Sequence, residues 1–210
     1  MNESTKKFVG WTLAVLPILI TLFWVIIYGT DPVNDYTTSL ADMASNELNG
    51  ILMAVALVFF MLIIIAYVIF ARSLIEDSNN PVFGTVASMI IMIFGAIQLT
   101  CGMLLLAAIS LYDAGDTSNG TLLFMINHEA NLVSGIILGV GLIPLGRAVR
   151  EAKNKLQPNL TLNIVSFGLL LAGILNVAAT FVAQEDLGFF GWIIWVIVSA
   201  IIGVNLIRNK

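Results

Sequence analysis

The stretch LNGILMAVALVFFMLIIIAYVIF, residues 48–70, contains no charged residue. A bilayer core about 30 Å thick is crossed by roughly 20 predominantly apolar residues in a helix. The whole chain is 59% hydrophobic and 10% charged, whereas soluble domains average about 45–50% apolar and about 25% charged residues. The composition therefore predicts an integral membrane protein.

Five further stretches are long and apolar enough to cross a bilayer. The predicted spans are residues 8–28, 48–70, 83–111, 123–146, 160–182 and 187–207. Lys6 and Lys7 precede the first span, as in a signal peptide. Its apolar part, however, is longer than the roughly 7–15 residues of a signal h-region, and no A-x-A site follows. We therefore expect a retained helix, and an all-α fold with six transmembrane helices in one domain, residues 1–210.

Charge is distributed unevenly about these spans. All nine basic residues of the chain fall on one side, and they are Lys6, Lys7, Arg72, Arg147, Arg150, Lys153, Lys155, Arg208 and Lys210. The opposite side carries only acidic charge, from Asp31, Asp35, Asp42, Glu47, Asp113, Asp116, Glu129, Glu185 and Asp186. Basic loops stay in the cytoplasm. This predicts a multi-pass protein of the cell (plasma) membrane with both termini cytoplasmic.

Two pairs of segments resemble each other within the chain. SMIIMIFGAIQ (residues 88–98) and SFGLLLAGILN (residues 166–176) share a serine, a glycine and a final amide at one constant offset. NELN (46–49) and HEAN (128–131) share a glutamate and an asparagine. The pattern indicates either chance similarity or a duplicated helical hairpin, spans 2–3 and 4–5, flanked by spans 1 and 6. A real duplication would be a parallel repeat, with a four-helix core of spans two to five.

Polar side chains within the spans converge on one outer layer. Gln98 lies roughly 22 Å from the inner end of its span, and Asn176 reaches a similar level. Because a polar group facing lipid is costly, such residues normally face the bundle interior or a cavity. The predicted outer polar pocket consists of Glu47, Asn49, Gln98, His128, Glu129, Asn131, Asn176 and Thr180.

The segment INHEANLVSG, residues 126–135, contains the only histidine and has three interpretations. In the first, it is an interfacial cap, with Asn127 as the N-cap and Glu129 near the positive helix end. In the second, Glu47 and Glu129 are paired carboxylates and His128 titrates beside them. The third interpretation, a metal site, is the weakest of the three. The zinc-binding motif H-E-x-x-H requires a second histidine at the position that Leu132 occupies. Adjacent helical residues point about 100° apart, so these polar side chains cannot all face one axis.

Small residues indicate close helix packing. Gly95, Gly135, Gly139 and Gly173 form small-residue faces that let helices approach. The single cysteine, Cys101, is expected to be buried and to pack as a small hydrophobic residue. One cysteine cannot form an internal disulfide. We expect no metal and no cofactor, since one histidine cannot provide bis-histidine haem ligation. Nine scattered basic residues do not indicate nucleic-acid binding.

The order of these features resembles an uncharacterised family of small bacterial and archaeal six-helix membrane proteins, a domain of unknown function. The resemblance rests on the basic start TKKFVG (5–10), the outer loop TDPVNDYTTSLADMASNE (30–47) and the final outer loop GFFGW (188–192). It covers most of the chain in order and length. It implies the six-helix fold and no particular activity.

Three functions fit these observations. The first is a non-enzymatic accessory or assembly subunit of a membrane complex, whose partners are lipid and other membrane subunits or a second copy. The alternative is a protein that binds or transports a small molecule, cation or proton in the outer pocket around Glu47, Gln98, His128, Glu129 and Asn176. A transporter should also have a polar route inward, and the inner half of the spans is apolar. An intramembrane enzyme ranks third, because no nucleophile accompanies the His–Glu pair.

Overall fold

The structure, a computed structural model, describes residues 1–28, 35–76, 81–152, 159–182 and 185–208. These ranges are all-helical and contain no strand, which confirms the predicted all-α class. The helices are α1 (Glu3–Tyr28), α2 (Tyr36–Ala44), α3 (Glu47–Ile75), α4 (Pro81–Asp113), α5 (Thr117–Glu151), α6 (Asn159–Val182) and α7 (Glu185–Arg208). Four charged residues named above lie outside the described residues, and they are Asp31, Lys153, Lys155 and Lys210.

Six of the seven helices, all except α2, are long and apolar enough to cross a membrane, which confirms the predicted number of spans. The helix around His128 begins earlier than expected, at Thr117 rather than residue 123. Asp116 caps this helix, because its carboxylate accepts hydrogen bonds from the backbone N–H of Asn119 (3.3 Å) and from its side-chain amide (2.8 Å). Capping supports a polar first turn that hydropathy alone does not reveal.

Helix α2 lies in the segment that the sequence predicts as an outer loop. Asp35 caps it by accepting hydrogen bonds from the backbone N–H groups of Thr37 and Thr38. The Thr38 hydroxyl also donates to this carboxylate, and these bonds lower the pKa of Asp35 below its usual value. Leu40 and Met43, on one face of α2, are buried in a small apolar cluster against α3, α4 and α5. A short amphipathic helix therefore packs beside the ends of the long helices.

The six long helices form a closed ring, which we call the helix ring. Each packs against the next along the chain, from α1 to α3, α4, α5, α6 and α7, and α7 packs against α1. A Cβ atom on Gly203 would lie 2.5 Å from the carbonyl oxygen of Gly10, so α1 and α7 meet backbone to backbone. Since α1 and α7 stand between α3 and α6, the expected four-helix core of spans two to five is replaced by a six-helix arrangement.

The predicted small-residue positions lie at contacts between helices of this chain. A Cβ on Gly139 would lie 2.5 Å from the carbonyl oxygen of Gly173, and a Cβ on Gly173 would lie 2.8 Å from that of Gly139. Gly95 packs against Ile64 of α3, where a Cβ would lie 2.7 Å from the side chain. Gly135 is less crowded, with its nearest neighbour at 3.7 Å.

The two ends of the helix ring differ in charge. We call the end that carries Lys6, Arg72, Arg147 and Arg208 the basic end, and the opposite end, with Asp35, Asp116 and Glu129, the acidic end. The interior near the basic end is a continuous apolar core with few polar groups. There Ser199 Oγ donates to the Trp195 carbonyl (2.6 Å), so the Tyr67 hydroxyl must donate to Ser199 Oγ (2.6 Å).

Candidate functional site

A cavity of about 410 Å³ occupies the interior of the helix ring toward the acidic end. All six long helices contribute to its wall. The lining residues are Thr21, Trp24, Val25, Phe60, Phe94, Gln98, Asn127, His128, Asn131, Ser134, Gly135, Leu138, Asn176, Phe189 and Trp192. Its volume is within the range of about 300–1,000 Å³ of small-molecule sites, and its wall combines an apolar surface with a few polar groups, as theirs do.

Four side-chain amides form the polar part of the wall. The Asn127 amide nitrogen donates to the Cys101 carbonyl (2.6 Å), and that of Asn131 to the Asn127 carbonyl (3.1 Å). The Asn176 nitrogen donates to the Ala172 carbonyl (2.8 Å). Because a backbone carbonyl can only accept, each of these amides must turn its nitrogen toward the helix.

The fourth amide, Gln98, is oriented by the same logic. Ser134 Oγ donates its hydrogen to the Asn131 carbonyl (2.7 Å), so it can only accept from the side chain of Gln98. The Gln98 nitrogen therefore makes the 2.6 Å contact with Ser134 Oγ. Among the described residues, none donates a hydrogen bond to the side-chain oxygen of any of the four amides.

Aromatic side chains from other helices line much of the remaining wall. Trp24 comes from α1, Phe60 from α3, and Phe189 and Trp192 from α7. The Trp192 indole N–H donates to Thr21 Oγ1 (2.9 Å), which in turn donates to the Pro17 carbonyl (2.8 Å). This chain of bonds holds α7 against α1 and satisfies the indole N–H within the protein.

The structure brings half of the predicted pocket residues into this cavity. Gln98, His128, Asn131 and Asn176 line it. His128 is half-buried, and its imidazole meets the Tyr36 ring edge-on at 5.5 Å between centroids. Because α2 supplies Tyr36, it packs directly beside a lining residue.

The other predicted residues lie outside the lining. Glu129 is exposed and accepts a hydrogen bond from the Tyr36 hydroxyl (2.8 Å), and Glu47 is exposed at the start of α3. Thr180 donates to the carbonyls of Leu132 and Asn176, each at 3.3 Å. Asn49 is buried and donates to the Met43 carbonyl (3.0 Å). Both glutamates of the proposed carboxylate pair are thus outside the cavity wall.

The interfacial-cap interpretation of INHEANLVSG is wrong. Residue 127 lies in the third turn of α5, not at its start, and Asn127 is only 1% exposed. The sequence interpretation missed Asn127 and Ser134 as wall residues. A helical spacing of i, i+4, i+7 and i+11 places Asn127, Asn131, Ser134 and Leu138 on one face, and that periodicity is the signal that could have identified them.

Titratable chemistry is sparse at this site. His128 is the only titratable side chain among the described lining residues. In the described parts of the chain, no three His, Cys, Asp or Glu side chains come together in a way that could hold a metal ion. The arrangement is suited to binding by hydrogen bonds and apolar contact.

These features define the class, an all-helical protein with six helices long enough to cross a membrane around an amide-lined cavity. Comparison with protein-family models, with curated proteins and with solved structures found no match to this chain. The resemblance to the uncharacterised six-helix family therefore stays a prediction.

Proposed function

We propose that this chain is a non-enzymatic membrane protein that binds a small molecule in the cavity of the helix ring. The observation that carries the proposal is the cavity wall itself, in which four amides with available oxygens face a space of about 410 Å³. None of the four oxygens accepts a hydrogen bond from the described residues, and Gln98 and Asn131 are only half-buried, so these oxygens are open to a donor from outside the chain. Such groups at one cavity indicate a binding site.

The distribution of charge supports an outward-facing cavity. The basic ends of the long helices belong in the cytoplasm by the positive-inside rule, which supports cytoplasmic termini and a plasma-membrane location. The acidic end, nearer the cavity, then faces outward. Gln98 and Asn176, the matched amides of the predicted hairpin repeat, both line the cavity, and this supports a duplication.

Binding is favoured over transport because the cavity ends at the packed apolar core near the basic end. Residues below the cavity toward the basic end include Ile63, Tyr67, Leu142 and Trp195, all at most 1% exposed. A transported molecule would have to separate this packed core, since a polar route inward is needed to conduct it. The cavity therefore favours ligand binding from the acidic end over passage through the chain.

An accessory role in a larger complex, the first of the sequence hypotheses, stays a prediction. It was motivated partly by the glycine faces. Gly139 and Gly173 contact each other, and Gly10 contacts Gly203, within the same chain. These faces therefore give no indication of a partner subunit.

The test uses native mass spectrometry of the protein extracted gently from its own membrane. We expect a reproducible extra mass on the wild-type protein. Gly135→Leu should remove it, because a Cβ at Gly135 would lie 3.7–3.8 Å from Asn176 and Thr180 and a longer side chain would enter the cavity. Gly50→Leu is the matched control, since nothing lies within 4 Å of a Cβ at that position. A bare wild-type protomer, or an extra mass that survives Gly135→Leu, would contradict the proposal.

A further inference from the structure

Resting on the proposed binding function, we propose further that the ligand is a small primary ammonium ion with an apolar substituent. The first argument is the imbalance between acceptors and donors in the wall. Each of the four amides uses one hydrogen of its nitrogen within the protein, which leaves its other N–H hydrogen and the two lone pairs of its oxygen without a partner among the described residues. The available lone pairs therefore outnumber the available amide hydrogens by two to one. A ligand that matches this wall must supply hydrogens.

The other polar groups of the wall do not restore the balance. Ser134 Oγ donates to a backbone carbonyl, as does Thr21 Oγ1. The Trp192 indole N–H is bonded to Thr21. The hydrogens of Ser134, Thr21 and Trp192 are therefore committed within the protein, while the Gln98, Asn127, Asn131 and Asn176 oxygens are available. An ammonium group carries three N–H donors and no acceptor, so it can satisfy this excess of lone pairs.

The apolar wall supports a positive charge as well. Trp24, Phe60, Phe94 and Trp192 line the same cavity as the amides. The faces of aromatic rings attract cations, with tryptophan the strongest, and the attraction grows when the cation is desolvated. The same rings accommodate an apolar substituent. An organic ammonium ion would contact the amide oxygens through its N–H groups and the aromatic rings through its charge and its apolar substituent.

Other ligand classes fit less well. A carboxylate or phosphate would find no lysine or arginine among the described lining residues and would face amide oxygens. A divalent metal ion favours carboxylate ligands, and both Glu47 and Glu129 lie outside the wall. A neutral alcohol offers one hydrogen and no charge.

The experiment measures the affinity of matched probes for the full chain in lipid nanodiscs, by the intrinsic fluorescence of the tryptophans that line the cavity. The probes are n-butylammonium, benzylammonium and 2-phenylethylammonium chlorides, each paired with its alcohol. We expect each ammonium ion to bind about tenfold or more tightly than its alcohol, since hydrogen bonds from a charged donor are roughly twice as strong as neutral ones. Gly135→Leu should abolish this binding, and Gly50→Leu should leave it unchanged.

Isosteric variants place a charge on the wall. Asn176→Asp and Gln98→Glu should each tighten ammonium binding about tenfold and leave alcohol binding unchanged, because a carboxylate attracts the cation. Glu47→Gln, outside the cavity, is the control for net charge. Two variants at separate helices keep the test available if one fails to fold.

The outcomes separate the two proposals. Alcohols that bind as tightly as ammonium ions, with Gly135→Leu removing both, would overturn the ammonium assignment and leave the binding function in place. No ammonium binding to the wild-type protein would likewise overturn the assignment, while the extra mass in native mass spectrometry tests the function separately. Ammonium binding that persists in Gly135→Leu would show that it occurs elsewhere and would overturn the assignment.

Discussion

The two halves of the helix ring treat buried polar groups in opposite ways. Near the basic end, Tyr67, Ser199 and the Trp195 carbonyl form a chain of bonds between α3 and α7, surrounded by apolar residues. Near the acidic end, the amides of Gln98 and Asn176 are bonded through nitrogen only. Fully satisfied polar networks rigidify a core, whereas partly satisfied ones cost free energy. Under the proposed function, this difference assigns cohesion to one half and ligand binding to the other.

The largest expected effect comes from separating α1 and α7. A Cβ on Gly203 would lie 2.4 Å from the Ala14 backbone nitrogen and 2.5 Å from the Gly10 carbonyl oxygen. Backbone cannot move aside as a flexible side chain can, so Gly203→Val should destabilise the protein by about 3 kcal/mol. Thermal unfolding in nanodiscs measures this, with Gly50→Val as control. A wild-type melting temperature for Gly203→Val would show that the helix ring does not depend on this contact.

A second prediction compares one polar group from each half. Tyr67→Phe removes an interhelical hydrogen bond and should cost about 1 kcal/mol of unfolding free energy. Gln98→Leu also removes an interhelical hydrogen bond, to Ser134, but it removes as well a polar oxygen that has no donor among the described residues. Its cost should therefore be smaller, while binding of the cavity ligand should weaken. Equilibrium unfolding and ligand titration of both variants provide the measurement. Equal stability losses with unchanged binding would remove the distinction between the halves.

The smallest effect is expected at α2. Asp35→Ala removes the cap, so the α2 backbone amides should exchange with solvent faster at neutral pH. Asp42→Ala, on the same helix, does not affect the cap and is the control. Hydrogen exchange measures both, and equal exchange in the two variants would argue against capping by Asp35.

The same cap predicts a dependence on pH. Since the pKa of Asp35 is lowered in the folded state, its stabilising contribution is fully present above the unfolded-state value of about 3.9. It is lost as the pH falls through the lower folded-state value. The Thr38 amide resonance should report this transition by nuclear magnetic resonance, and the transition should be absent from Asp35→Ala.

The number of spans could be predicted from the sequence because each span is a long apolar run, as in residues 48–70. Helix α2 could not, since nine residues with two buried apolar side chains resemble a polar loop when only hydropathy is considered. Gln98 and Asn176 could be placed at one level by the constant rise of a helix. The position of Glu129 outside the wall depends on the rotation of α5, which its packing against α4 and α6 determines.

Ring closure also has a consequence for the order of assembly. Helix α1 emerges from the ribosome before the other spans, yet its partner α7 follows five further helices along the chain. Until α7 enters the bilayer, the Gly10 face has no backbone partner and Thr21 has no indole donor. The cavity lacks the walls from Phe189 and Trp192 as well. A nascent chain that ends after α6 can therefore occupy the membrane without the complete cavity, and the proposed binding site is complete only when α7 arrives.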